Sequence, residues 1–213
     1  MGLEPSPDTP LIAFMSRLAH QKMPDVVLEA LPALLAEDIQ FALVAQGDAD
    51  CERRFRELAT AYPGQVSVQI GYEEALAHRL LASADMLLHP SRIEPCGLAP
   101  IYAMRYGTLP IVRRSGGLAD SVVDADPNSI KDEKATGFSF NQPTAHDLTA
   151  CMRRALSLYR EPIAWRKIRS CAMRQDFGWS RSAQAYVDLY RSLVTASAEM
   201  EIEQRVERAK LIA

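Results

Sequence analysis

The stretch His89-Pro-Ser-Arg-Ile-Glu-Pro-Cys-Gly-Leu98 concentrates residue types that could do chemistry. It follows an apolar run, Asp85–Leu88, that reads as a short buried strand, and it opens a helical apolar pattern from Leu98 to Tyr106. A strand, a Pro- and Gly-punctuated loop and a helix start make an anion site. The first-turn N–H groups have no helical partner, and the helix dipole adds partial positive charge there. Glu94 is a lone carboxylate just ahead of that helix, and Pro95 biases it toward extended backbone. Donors beside one acid suit a ligand with both a phosphate and hydroxyls, which describes a nucleotide sugar. Arg17 and Lys22 flank another loop, and a fork-shaped guanidinium with a compact ammonium can neutralise two neighbouring phosphates.

Other candidates carry two readings each. Tyr72 could lay its ring against a base or pack in a core. Gly116-Gly117, after Ser115, fit either a close approach to a ligand or a plain turn. Cys96 reads first as a small buried hydrophobe, since catalysis would need a thiolate and nothing in the sequence provides for one. His20, His78, His89 and His146 make no metal-ligand spacing, so no metal site is assigned.

The elements that must position these residues alternate. Strands are predicted at Leu11–Met15, Gln40–Ala45, Val66–Ile70, Asp85–His89 and Leu109–Val112, with a last one near Thr136–Phe140. Helical patterns fall between them at Pro24–Ala36, Ala49–Ala61, Glu73–Ser83 and Leu98–Arg105, and the pattern loosens over Gly116–Ala135. The alternation predicts an α/β fold, a single Rossmann-like doubly wound parallel sheet with extra C-terminal helices. Ligands bind beyond the carboxyl ends of such strands. Arg17 and Lys22, Gly47-Asp48, Gly71-Tyr72, Glu94 with Cys96-Gly97-Leu98, and Ser115-Gly116-Gly117 follow successive strands and so share that edge. Two later stripes, Leu148/Cys151/Met152/Ala155/Leu156/Tyr159 and Ala183/Tyr186/Val187/Tyr190/Leu193, read as packing faces. The expected organisation is an irregular segment 1–10, the Rossmann-like domain 11–194, and a charged helical tail 195–213.

Composition narrows the function classes. The chain has 213 residues, 48% hydrophobic and 24% charged, ordinary for a globular protein. A net charge of −3 argues against a nucleic-acid-binding surface. Its four cysteines have no paired spacing, no apolar run reaches membrane-span length, and the first ten residues lack signal-peptide zones. The expected setting is cytoplasmic, with no membrane partner.

Four segments together resemble one family: Ser-Arg-Leu-Ala-His-Gln-Lys (16–22), Ile-Gly-Tyr-Glu-Glu-Ala-Leu-Ala-His-Arg (70–79), Pro-Ser-Arg-Ile-Glu-Pro-Cys-Gly-Leu (90–98) and Tyr-Gly-Thr-Leu-Pro-Ile-Val-Arg-Arg-Ser-Gly-Gly-Leu-Ala-Asp (106–120). They are similar, in order and spacing, to bacterial glycogen synthase and plant starch synthase, and Trp179-Ser-Arg-Ser-Ala183 is similar to that family's C-terminal helix. The resemblance implies a metal-independent, retaining glycosyltransferase with two Rossmann domains (GT-B). It moves glucose from ADP-glucose to the non-reducing end of an α-1,4-glucan, in the cytoplasm or, in a plant, the plastid. It implies that Arg17 and Lys22 hold the diphosphate, Tyr72 lies against adenine and Glu94 bonds glucose hydroxyls. Backbone donors at Gly97–Leu98 and Gly116–Gly117 complete the implied site. Related transferases carry a ribose-binding Glu where this chain has Tyr102, which favours the glycogen synthase side.

Three departures accompany the resemblance. Met23 stands where the family has Gly, so the loop is expected to lose a φ > 0 position and shift. Ala99-Pro100 replaces a polar pair, and Pro100 brings no N–H. The family's N-terminal, glucan-binding domain has no counterpart here, so the chain reads as the donor-binding half. Helix positions near Trp179–Leu193, turned toward that other domain in the family, are then expected to be partly exposed and to favour self-association. Two function classes stand: half of such a synthase, inactive when isolated, or a non-catalytic nucleotide- or glucan-associated module derived from one.

Overall fold

The chain is described from a computed structural model that covers residues 2–4 and 6–212, with backbone alone over 196–199 and 201–212. Strands β1 (Leu11–Leu18), β2 (Gln40–Gly47), β3 (Val66–Ile70), β4 (Met86–His89), β5 (Leu109–Arg113) and β6 (Phe138–Phe140) form one parallel sheet in the order β3-β2-β1-β4-β5-β6. Helices α1 (Pro24–Leu35), α2 (Ala49–Ala61), α3 (Glu74–Ser83) and α4 (Leu98–Tyr106) make the crossovers. The chain order reverses between β1 and β4, so the loops after these two neighbours open a crevice at that edge.

Strand alternation sorts side chains by size. Ile12, Phe14, Phe41 and Leu43 enter the larger core, with α1, α2, α7 (Ala145–Tyr159) and α8 (Pro162–Met173). Phe55 of α2 stacks on Phe14 and Phe41 with ring centroids 6.2 and 6.4 Å apart. The alternate residues Ala13, Ala42 and Val44 meet Leu80, Leu81 and Ala103 of α3 and α4, and their small size lets those helices sit close to the sheet. The first C-terminal stripe is a core face as expected, with Leu148, Cys151, Met152, Ala155 and Leu156 all buried.

Two short helices, α5 (Gly117–Ser121) and α6 (Pro127–Lys131), occupy the region where the sequence pattern loosened. Arg154 of α7 pins the chain beyond them. It donates to both oxygens of Asp124 at 2.8 and 2.9 Å, while Asp124 accepts from the Ser139 N–H of β6 at 2.6 Å.

The chain divides into two compact units, the first ending at Gln175 and the second, Asp176–Ala213, built around α9 (Trp179–Ile212). Within that unit Tyr186, Val187, Tyr190 and Leu193 of the second stripe are exposed. Their helical spacing identified a shared face without identifying what covers it. The side chains of most of the expected charged tail lie outside the described residues. Among the described residues no helix is long and apolar enough to cross a membrane.

Candidate functional site

The loop after β1 makes a single 3-10 turn, His20–Lys22, and enters α1 through Met23. The expected loss of a φ > 0 position does not occur. Met23 itself takes the left-handed conformation, φ 56° and ψ 39°, with its side chain 0% exposed in the core. Burial holds a methionine where glycine would fit without strain, and the loop's path keeps its left-handed entry to α1.

That path brings Lys22 to Glu94, whose side chain lies buried in the crevice between β1 and β4. Three donors converge on the single oxygen Oε2. Lys22 Nζ makes an ion pair, Ser91 Oγ donates at 3.0 Å, and His89 Nε2 lies 3.3 Å away. Oε1 accepts from no protein donor among the described residues and keeps some solvent access. The His89 hydrogen bond, with Lys22 acting alongside it and against the cost of burial, holds the Glu94 carboxyl down at about 2. The carboxylate is therefore ionised, clamped on one side and available on the other. His89 ends β4, fully buried, and burial pushes its imidazole below the ordinary value, so the ring is neutral.

The Glu94 backbone is fixed as well. Its carbonyl accepts from Gly117 N–H at 3.0 Å, and a Cβ added to Gly116 (φ 50°) would lie 2.2 Å from that same oxygen. Only glycine permits this approach. The Gly117 N–H is consequently engaged within the protein. Ser115 Oγ likewise donates to the Ser91 carbonyl at 3.0 Å. The free donors lie at α4, where Gly97 (φ 82°) precedes the helix and the Leu98 and Ala99 N–H groups donate to no protein acceptor among the described residues. Pro100, buried in the first turn, contributes none. Cys96 is exposed beside them rather than buried.

Two loops are laced together around this pocket. Arg92 grips both carboxylate oxygens of Asp25 at 3.0 and 2.7 Å and also donates to the His20 carbonyl at 2.6 Å. The Arg92 N–H donates to Gln21 O at 2.8 Å, and Gln21 Nε2 returns a bond to Ile93 O at 2.7 Å. The guanidinium beside Asp25 lowers that carboxyl, which keeps the bidentate pair charged.

Next to Glu94's crevice, beyond β1 and β2, a cavity of about 340 Å³ is lined by Arg17, Gln46, Gly71, Tyr72, Leu98 and Tyr102, among others. Arg17 is exposed, and its side chain makes no hydrogen bond or ion pair among the described residues. Tyr72 is 68% exposed, which removes the core reading and leaves its ring free at the cavity. The structure thus gathers Arg17, Lys22, Tyr72, Glu94, Cys96, Gly97, Leu98, Ser115, Gly116 and Gly117 at the carboxyl edge of the sheet. Sequence reasoning missed His89 and Ser91 as the partners of Glu94. Their signal was a histidine closing an otherwise apolar strand five residues before the acid. Among the described residues no group of three or more His, Cys, Asp or Glu side chains is placed to hold a metal ion.

The family profile "Glycosyl transferases group 1" matches residues 3–168. The chain belongs to the group 1 glycosyl transferases. This glycosyl transferase is 49% identical over 194 residues to a glycogen synthase of Edwardsiella ictaluri (strain 93-146), covering 91% of the chain and 41% of that protein. Against a glycogen synthase of Burkholderia thailandensis (strain ATCC 700388) it is 52% identical over 196 residues, covering 91% and 37%. It therefore spans about two fifths of the length of these relatives. The catalytic domain of starch synthase IV from Arabidopsis thaliana, solved bound to ADP and acarbose, superposes with a TM-score of 0.81 at 32% identity, over 91% of this chain and 40% of that one. The C-terminal domain of a group 1 glycosyl transferase (LpcC) from Francisella tularensis shares the fold, with a TM-score of 0.59 at 13% identity over 77% of this chain and 82% of that one. The domain corresponds to the C-terminal half of the two-Rossmann-domain GT-B architecture.

Proposed function

We propose that this chain is the nucleotide-sugar-binding half of a glycogen- or starch-synthase-type glucosyltransferase. It holds ADP-glucose at the sheet's switch point. Together with an N-terminal partner domain, it passes the glucosyl group to the non-reducing end of an α-1,4-glucan with retention of configuration. The observation that carries this reading is Glu94, ionised, clamped through Oε2 and open at Oε1. A carboxylate held this way is a ready acceptor for sugar hydroxyls. Arg17, free of side-chain partners among the described residues, and the α4 N-terminus supply positive charge for a diphosphate, the leaving group of the transfer. Tyr72 offers a ring face to the base at the neighbouring cavity. The 32%-identical starch synthase structure, solved with ADP, supports the choice of adenine nucleotide.

Titration calorimetry of the chain with ADP and with ADP-glucose, without added metal, tests the proposal. Weak binding of both is expected, tighter for ADP-glucose. No heat at millimolar ADP from a sample folded by circular dichroism rejects it.

A further inference from the structure

The three donors on Glu94 Oε2 differ in what else they could serve. Lys22 carries a charge that a diphosphate also attracts. Ser91 and His89 have no second use, since both are buried in the crevice, at 0% and 5% exposure. His89 is the odder choice. Its Nδ1 is fully buried and has no hydrogen-bond partner among the described residues. An orphaned ring nitrogen destabilises a core, and an aliphatic side chain would fill the space without it. With the imidazole neutral and only Nε2 facing an acceptor, the proton sits on Nε2, and Nε2–H donates to Glu94.

We propose that His89 is the positioning residue for Glu94, an uncharged donor that keeps the carboxylate in place when Lys22 leaves it for the donor's diphosphate. A cation in the same place would repel Lys22 and offset the charge that Glu94 presents to sugar hydroxyls. A neutral Nε2–H fixes the oxygen and leaves the charge whole. Through this brace the lysine can serve the phosphate without the acid losing its aim. The inference rests on Glu94 being the sugar-hydroxyl acceptor, as proposed above.

Calorimetry with ADP and ADP-glucose on His89→Leu and His89→Gln separates the possibilities, because glutamine can return an N–H near the Nε2 position and leucine cannot. His89→Leu is expected to hold ADP affinity within about twofold and to lose roughly tenfold in preference for ADP-glucose, the equivalent of one hydrogen bond to a charged group. His89→Gln should recover most of that preference. If leucine is not tolerated, His89→Asn, whose amide stops short of Glu94, should lose the preference that His89→Gln keeps. Three outcomes overturn the proposal: a preference undiminished in His89→Leu or His89→Asn, an equal fall for both ligands, or no recovery in His89→Gln. A wild-type chain with no preference for ADP-glucose would instead reject the Glu94 reading itself.

Discussion

Arg17 and Lys22 look equivalent as sequence, two cations flanking one loop, yet they have different neighbours. Arg17 has no side-chain partner among the described residues, whereas Lys22 is paired with Glu94. Charge-assisted hydrogen bonds are worth about 1.5–3 kcal/mol, so Arg17→Ala should weaken ADP about ten- to a hundredfold in calorimetry and leave the melting temperature unchanged. Lys22→Ala should lose both affinity and stability, since it strands a buried carboxylate. Glu94→Ala should barely alter ADP affinity while reducing the preference for ADP-glucose. A loss of ADP binding in Glu94→Ala as large as in Arg17→Ala would contradict this division. The same acid sets a pH dependence. Its folded value of about 2 lies below the ordinary 4.5. The stabilisation is therefore complete above the ordinary value and is lost as pH falls toward 2. Urea midpoints at pH 5 and pH 3 (~4 ± 1, bracketing the usual carboxylate range) should fall further for wild type than for Glu94→Gln.

At the scale of elements, the entry to α1 shows how packing overrides backbone preference. A left-handed non-glycine residue costs about 1–2 kcal/mol, and burying a methionine returns about 1.5–3 kcal/mol. Met23→Gly should thus relax the backbone and still lower denaturant stability, by about 1 kcal/mol or more once the cavity is counted. Met23→Leu should stay within about 1.5 kcal/mol of wild type. Most strands and long helices were legible in the sequence because alternating apolar runs and helical stripes report burial directly. Helices α5 and α6 were not, for five residues each are too few to show a period. The glycine-rich edge was legible, since loops after successive strands share it. The partners of Glu94 were not: His89 reads as a strand end and Ser91 as a loop residue until the turn at Pro90 folds both back onto one oxygen. The left-handed Met23 was also hidden, because it depends on core contacts made by distant residues.

At the scale of the whole molecule, the proposed function puts the nucleotide sugar where β1 and β4 part, with this Rossmann-like layer as one wall of its site. Glucan transfer also needs the acceptor hydroxyl held against the sugar and water kept out, positioning worth ~7–11 kcal/mol in favourable cases. The chain alone should therefore incorporate no labelled glucose from ADP-glucose into glycogen. Adding the N-terminal domain of a glycogen synthase should restore incorporation, and turnover by the chain alone would refute the half-enzyme reading. This wall is held by bonds made within the protein. Arg92 and Gln21 stitch the loop after β1 to the loop after β4. An arriving nucleotide then finds no segment left to settle, and encounter alone sets the pace of capture. In stopped-flow mixing the observed rate should climb in proportion to ADP concentration. With Arg92→Ala the stitch is cut, and the rate should level off as loop closure becomes the slower step.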